Sequence, residues 1–314
     1  MKHHEHLLAK GVLVTGATGF LGGALTRKIN LDERLLVTSG VRSEKRELDG
    51  EQLVIGDLSS SFDISEYLSQ QNVVIHTASL AHNKANNTSS DFESINTQGT
   101  LRLARQAAEA GVKRFIFISS IGVNGNISSR PFSELDIPNP SEPYAESKWR
   151  AEQGLWEIQK STGMEIVIIR PPLVYGPNAP GNFATLIRWV DKGIPLPLGS
   201  VNNKRSYIAI DNLISFIITC IDHPLAANET FLVADGEDLS TSDLLRKVAS
   251  AMGRPAHLLP VPEKLLRLGA LVLGKQDMAR SLLGSLQIDI SKAKQTLSWQ
   301  PSVSVDEGLK QCFI

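Results

Sequence analysis

"GVLVTGATGFLGG", residues 11–23, is the stretch on which the fold turns. Three apolar residues, Val12 to Val14, lead into Gly16, Gly19 and Gly22, and "FLGGALTRKIN" (20–30) continues with apolar residues at helical intervals. A strand, a glycine turn and a helix in that order make an anion cradle. Gly16 and Gly19 let the backbone approach a pyrophosphate, and the helix offers its first N–H groups and positive dipole end to the charge. Three glycines alone are weak evidence; the strand before them and the helix after them make the fingerprint credible.

The rhythm that begins there continues to about residue 170. "LLVTSGV", "QLVIGD", "VVIHTA", "KRFIFISS" and "EIVIIRPP" are short apolar runs separated by helix-like segments. One of these, "TQGTLRLARQAAEAG" (97–111), closes on Gly111 as a C-cap does. The alternation predicts an α/β fold of Rossmann type, a doubly wound parallel sheet with helices on both faces. Past residue 171, proline and glycine cluster in "RPPLVYGPNAPGN" and "KGIPLPLGS", and regular strands thin out. The expected division is a dinucleotide-binding domain over 1–175 and a smaller C-terminal α/β substrate lobe over 176–314, partly interwoven with the first.

Composition narrows the function classes. The 314 residues carry a formal net charge of −1 and no long block of like charge, which argues against a nucleic-acid partner. No stretch reaches the roughly 18–20 apolar residues of a membrane span. "LLRLGALVLG" (265–274) is shorter, is interrupted by Arg267, and reads as a packed helix. "MKHHEHLLAK" lacks a signal peptide's apolar core, and its histidines read as a frayed tail rather than a metal site. Cys220 and Cys312 fit no metal or redox spacing, so no metal is expected and a reducing cytoplasm is the expected setting.

Two further stretches specify chemistry. The second strand of such a fold commonly ends in an acid that bonds the adenosine ribose of NAD. "LLVTSGVRSEKR" (35–46) has none at its tip and offers Ser39, Arg42 and Lys45 instead. A guanidinium suits a phosphate dianion, so NADP(H) is favoured over NAD(H). In "EPYAESKWRAEQGL" (142–155), Pro143 marks a helix start, and Tyr144 and Lys148 fall at i and i+4 on one face. A phenol near pKa 10 is a poor base at neutral pH, and a cation about 4–6 Å away, together with a positively charged nicotinamide, brings it toward working range.

With "GDL" (56–58), "NTQGT" (96–100), "ISSIGVNG" (118–125) and "RPPLVYGP" (170–177), the chain resembles the extended short-chain dehydrogenase/reductase (NAD-dependent epimerase/dehydratase) family over essentially its whole length. The resemblance implies Tyr144 as general acid/base, Lys148 as holder of the nicotinamide ribose, and Ser120 as the hydroxyl bonding the reacting oxygen. Ser119 is the alternative to Ser120. The resemblance further implies cofactor contacts at Gly16, Gly19, Phe20, Leu21 and Gly22, at Arg42, Asp57 and Leu58, and at Ala78, Asn96 and Ser119. His76, inside the fourth strand, is expected to be a satisfied core histidine.

Within that family the chain is similar to the nucleotide-sugar branch, near UDP-hexose 4-epimerases and UDP-4-keto-6-deoxy-N-acetylhexosamine 4-reductases. "GNFATLIRW" (181–189) implies nucleotide contacts at Asn182 and Phe183, and "NKRSYIAIDNL" (203–213) implies diphosphate binding by Arg205. "DISKAKQTLSWQP" (289–301) is a tail frequent in this group. Arg280 stands for the group's R-x-G-D arginine without the Gly-Asp that follows it. Ser285 falls at or near the position that leaves room for an N-acetyl group beside carbon 2.

The epimerase pattern is incomplete. Leu173 stands where UDP-galactose 4-epimerases carry Asn, Ala81 stands where a lysine is found, and the ribose-binding acid is missing. The expectation is therefore reduction by NADPH of a UDP-4-keto-6-deoxy-(N-acetyl)hexosamine in surface-polysaccharide synthesis. The alternative is a UDP-glucose or UDP-N-acetylglucosamine 4-epimerase using bound NAD; a non-catalytic NADP-binding regulator is more distant. A homodimer is the expected assembly.

Overall fold

The computed structural model describes residues 9–46, 48, 50–80 and 87–313, so the N-terminal histidines and Ala81 lie outside the described residues. The strands are β1 (Lys10–Thr15), β2 (Leu35–Val41), β3 (Glu51–Val54), β4 (Val73–His76), β5 (Arg114–Ile118), β6 (Glu165–Arg170), β7 (Leu173–Tyr175), β8 (Arg205–Ala209), β9 (Glu229–Leu232) and β10 (Asp238–Leu239). Two compact units form. The first takes Met1–Ser119, Glu142–Ile169 and Phe216–Thr230; the second takes Ser120–Ser141, Arg170–Ser215 and Phe231–Ile314. The chain thus leaves the first unit after Ser119, well before residue 175, and returns to it twice. Late segments complete the first unit: Asn228 Oδ1 accepts from the N–H of Ile166 at 3.1 Å.

In the first unit the sheet runs β3-β2-β1-β4-β5-β6-β9, and β1 to β6 pair in parallel. Val12, Leu13 and Val14 are all fully buried, as expected of a parallel strand covered on both faces. Leu13, Phe115, Phe117, Ile166 and Ile168 from the sheet pack with Leu103 and Leu155 from two helices into one core. Strand order reverses between β1 and β4. A doubly wound sheet opens its ligand crevice at the carboxyl ends of the strands at that point.

One helix departs from its sequence pattern. The spacing over 97–111 predicts ordinary α-helix, whereas Glu93–Gly99 is π-helical and the α-helix runs Thr100–Glu109. The wider turn carries Asn96, whose amide accepts from the Leu80 N–H at 2.7 Å and donates to the Ser147 hydroxyl at 3.1 Å. Single π turns of this kind are frequent at functional sites.

In the second unit β7 and β8 pair in parallel and β8 and β10 antiparallel. Ile121, Leu232, Ala234, Leu286, Ile288 and Ile290 form its core around Phe132. Backbone bonds from Ser128 to Ser285 (2.9 Å) and from Phe132 to Gln287 (2.8 Å) tie segment 120–141 into this unit. The helix Glu263–Val272 is not packed as its apolar sequence predicts; it carries no buried residue. Leu265, Leu268, Leu271 and Val272 are more than half exposed, beside a shallow apolar groove of about 340 Å³. The helical spacing was right and the covered side was not. Among the described residues no helix is long and apolar enough to cross a membrane.

Candidate active site

The glycine turn follows β1 directly. Gly16 sits at φ +74°, and a Cβ there would lie 2.7 Å from the Ala78 nitrogen. A Cβ on Gly22 would lie 2.2 Å from the Gly16 carbonyl oxygen, so the loop admits no larger residue at either place. Gly19 precedes the helix Phe20–Ile29 without a side-chain cap, and no acid stands in its first turn. The backbone N–H groups at Phe20 and Leu21 are therefore left for an anion.

This turn opens into a cleft of about 410 Å³ lined by Gly16, Gly19, Arg42, Lys45, Leu58, Ala78 and Ser79, among others. Its volume, glycine floor and cationic rim fit a dinucleotide with its pyrophosphate on the turn. Arg42 is 70% exposed and stands 3.7 Å from Asp57. The Asp57 carboxyl is held below its usual range chiefly by the N–H and hydroxyl of Ser59, with Arg42 a smaller contributor. Arg42 therefore stands mostly in water with a carboxylate at its edge.

The helix Pro143–Thr162 starts with Pro143 after an extended Glu142 and stops at Gly163, which takes the left-handed conformation at φ +76°. Its first turns bring Tyr144 and Lys148 together, with the Lys148 ammonium 5.9 Å from the Tyr144 ring centre. Lys148 is 1% exposed, donates to the Ile118 carbonyl at 2.9 Å and lies 4.6 Å over the Phe117 ring. Burial brings its pKa down to about 7, opposed by the negative charge of Glu152. Tyr144 is half-buried, edge-on to Phe92 at 6.1 Å. Burial raises its phenol pKa, and a hydrogen bond with the Ser79 hydroxyl pulls it back. Among the protein's own groups, burial therefore sets the direction of the Tyr144 shift and Ser79 is the one that opposes it.

The two serines part company. Ser119 is buried and its hydroxyl donates to the Glu152 carboxylate, so its proton is already committed. Ser120 opens the second unit as cap of the short turn Ile121–Val123, where its oxygen accepts from the Gly122 N–H at 3.1 Å. That bond leaves the Ser120 proton for another acceptor. His76 is fully buried and bonded through both nitrogens, to Thr15 at 2.6 Å and Thr100 at 2.9 Å. Burial pushes its pKa down to about 3, so it is a neutral core residue.

In the second unit, Arg205 and Ser285 come together. Arg205 donates to the Gly284 carbonyl at 2.9 Å, and the Ser285 hydroxyl accepts from the Lys204 N–H at 3.1 Å. The remaining candidates do not join them in the same way. Phe183 is 1% exposed and packs on Tyr175 with ring centres 5.7 Å apart, so it is a core residue and not an open nucleotide contact. Asn182 is exposed at the start of the helix Asn182–Asp191. Arg280 is exposed and faces Asp277 at 3.7 Å on its own helix. Among the described residues no cluster of His, Cys, Asp or Glu has the makings of a metal site.

Sequence reading missed Ser79 and Glu152. Glu152 had a signal: it continues the Tyr144–Lys148 spacing by another four residues. Ser79 had none, because β4 and the helix Pro143–Thr162 meet only in the fold.

A doubly wound sheet with a dinucleotide cleft, and with a buried lysine beside a tyrosine on one helix, defines a nicotinamide-dependent enzyme of the short-chain dehydrogenase/reductase type. The model of the NAD dependent epimerase/dehydratase family matches residues 12–234, and the chain belongs to that family. It is 45% identical to a UDP-glucose 4-epimerase of Vibrio cholerae over 313 residues, covering 98% of this chain and 95% of the relative. Among solved structures, a UDP-N-acetylglucosamine 4-epimerase from Bacillus cereus shares the fold with a TM-score of 0.80 at 21% identity, over 97% of this chain and 98% of the other. A UDP-glucuronic acid 4-epimerase from Bacillus cereus in complex with NAD does so with a TM-score of 0.78 at 22% identity, over 96% and 95%.

Proposed function

We propose that the chain is a UDP-hexose 4-epimerase that inverts carbon 4 of a UDP-linked sugar with a nicotinamide dinucleotide held through the cycle. The observation that carries this reading is the 45% identity to a UDP-glucose 4-epimerase across 98% of the chain, with Tyr144 and Lys148 in place. The 4-keto reductase expected from the sequence gives way to it. The departures at Leu173 and the strand tip that favoured a reductase weigh less than a match over nearly the whole chain.

The bound dinucleotide supplies a hydride acceptor at carbon 4 that later serves as donor. Tyr144 takes the proton of the carbon-4 hydroxyl as that carbon loses hydride, and returns it once the hydride comes back to the opposite face. Lys148, held by the Ile118 carbonyl, presents its charge to the ribose and the phenol. Ser120 donates its free proton to the reacting oxygen. Arg205 faces the diphosphate, a pairing suited to a guanidinium. The cycle is redox-neutral, so either dinucleotide serves it; the rim of Arg42, Ser43 and Lys45, without an acid at the strand tip, favours a 2′-phosphate.

The test is incubation with UDP-glucose, UDP-N-acetylglucosamine and their UDP-4-keto-6-deoxy counterparts. The expected result is interconversion of carbon-4 epimers with no net consumption of NADPH. Stoichiometric NADPH oxidation on the keto sugars, with no epimer formed, would restore the reductase reading.

A further inference from the structure

We propose that Glu152 is the buried counter-ion of Lys148, a positioning residue that keeps the ammonium charged where the dinucleotide is held. Tyr144, Lys148 and Glu152 recur at intervals of four along the helix Pro143–Thr162 and so share one face. Lys148 is 1% exposed and Glu152 0%. Ala151 and Leu155, on either side of Glu152, belong to the apolar core. An ionised group is not kept in such surroundings without a partner.

The two side chains also grip adjacent residues at the end of β5. Lys148 donates to the Ile118 carbonyl at 2.9 Å, and the Ser119 hydroxyl donates to Glu152. The Ser119 hydroxyl fixes the carboxylate, and the Ile118 carbonyl fixes the ammonium. Among the described residues, Glu152 is the one negative charge that acts on Lys148. His76 from β4 is neutral, with a pKa near 3, and the Tyr144 phenol is pushed upward by burial.

The consequence for pH has a definite sign. Burial lowers the Lys148 pKa to about 7 even with Glu152 opposing it. The amine therefore loses its proton as pH rises through neutrality. Without the carboxylate, that loss moves to lower pH.

The inference rests on Lys148 holding the nicotinamide ribose, so the experiment measures NADH binding with no sugar present; sugar interconversion tests the proposed activity separately. NADH affinity is followed by fluorescence against pH for wild type, Glu152→Gln and Glu152→Asp, with a thermal melt to establish folding. In wild type, affinity declines as pH rises through about 7, the pKa of Lys148. Glu152→Gln moves the midpoint of that decline down by about one pH unit or more, while affinity in acid stays close to wild type. Glu152→Asp keeps the charge and holds the midpoint near that of wild type. A loss by the same factor at every pH in Glu152→Gln, with the midpoint unmoved, overturns the proposal and leaves Glu152 a packing residue. Should Glu152→Gln fail to fold, Ser119→Ala carries the test. It frees the carboxylate and shifts the midpoint in the same direction by a smaller step, and an unmoved midpoint overturns the proposal.

Discussion

The stripe of Tyr144, Lys148 and Glu152 in the first unit and the cluster of Arg205, Gly284 and Ser285 in the second are both polar, both largely turned from solvent, and built in opposite ways. The stripe comes from one helix, so its geometry follows from the 3.6-residue period and is written in fourteen consecutive residues, 142–155. The cluster exists because Arg205 reaches across to Gly284 and Ser285 accepts from Lys204, pairs 79 and 81 residues apart in the chain. A local device tolerates change elsewhere. A long-range one depends on every segment that closes it. The first should therefore fail by losing chemistry with the fold intact, and the second by altering which sugar is accepted.

Tyr144→Phe is the sharpest cut at the stripe. The ring and its edge contact with Phe92 remain while the proton carrier goes, so turnover falls on the order of a hundredfold or more with the melting temperature nearly unchanged. A variant keeping more than about a third of the wild-type rate would remove Tyr144 from the chemistry.

Gly22→Ala tests the local device at its floor. Its new Cβ would lie 2.2 Å from the Gly16 oxygen, in the glycine turn itself, and 2.7 Å from the Thr77 hydroxyl just past β4. Overpacking of this kind costs about 1–3 kcal/mol, so dinucleotide affinity drops by roughly tenfold or more together with stability. Unaltered affinity in a titration calorimeter would show that the turn is not the phosphate cradle.

Ser285→Tyr tests the long-range cluster. Ser285 is half-buried and bonded to Lys204, not a loop serine turned to solvent. If it leaves room for an acetamido group, the larger ring shifts the ratio of kcat/KM for UDP-glucose over UDP-N-acetylglucosamine by about tenfold. An unchanged ratio takes Ser285 out of sugar selection.

Arg42→Ala carries the smallest effect. With the guanidinium mostly exposed and Asp57 at 3.7 Å, its contact with a 2′-phosphate is discounted by solvent and by a competing carboxylate. The expected loss is about three- to tenfold in affinity for NADPH and little for NADH. Equal losses for both would show that Arg42 does not read the phosphate.

What the sequence disclosed follows the same division. Each strand of the first unit's sheet through β6 was announced by its apolar run; for the inner strands this is because a strand buried on both faces has a composition of its own, while β3 at the edge buries little. The glycine turn and the Tyr144–Lys148 pair were legible because their geometry is local. The π-helical turn at Glu93–Gly99 was not, since one extra residue in a helix leaves the apolar spacing nearly unchanged. Ser79 was silent because its bond to Tyr144 joins segments far apart in the chain. The helix Glu263–Val272 shows the converse, an apolar period that buries none of its residues. An interwoven second lobe was expected, but which segments return was not legible: Phe216–Thr230 looks from sequence like part of the later lobe.

The most direct measurement on the proposed activity follows the hydrogen at carbon 4. UDP-galactose deuterated at that carbon is incubated with the enzyme in ordinary water, and the product is read by NMR. An enzyme that removes hydride and returns it to the same molecule gives UDP-glucose still deuterated at carbon 4, with no NADPH consumed. No conversion of UDP-galactose, coupled to NADPH oxidation on a 4-keto sugar, would contradict the account and make the chain a reductase.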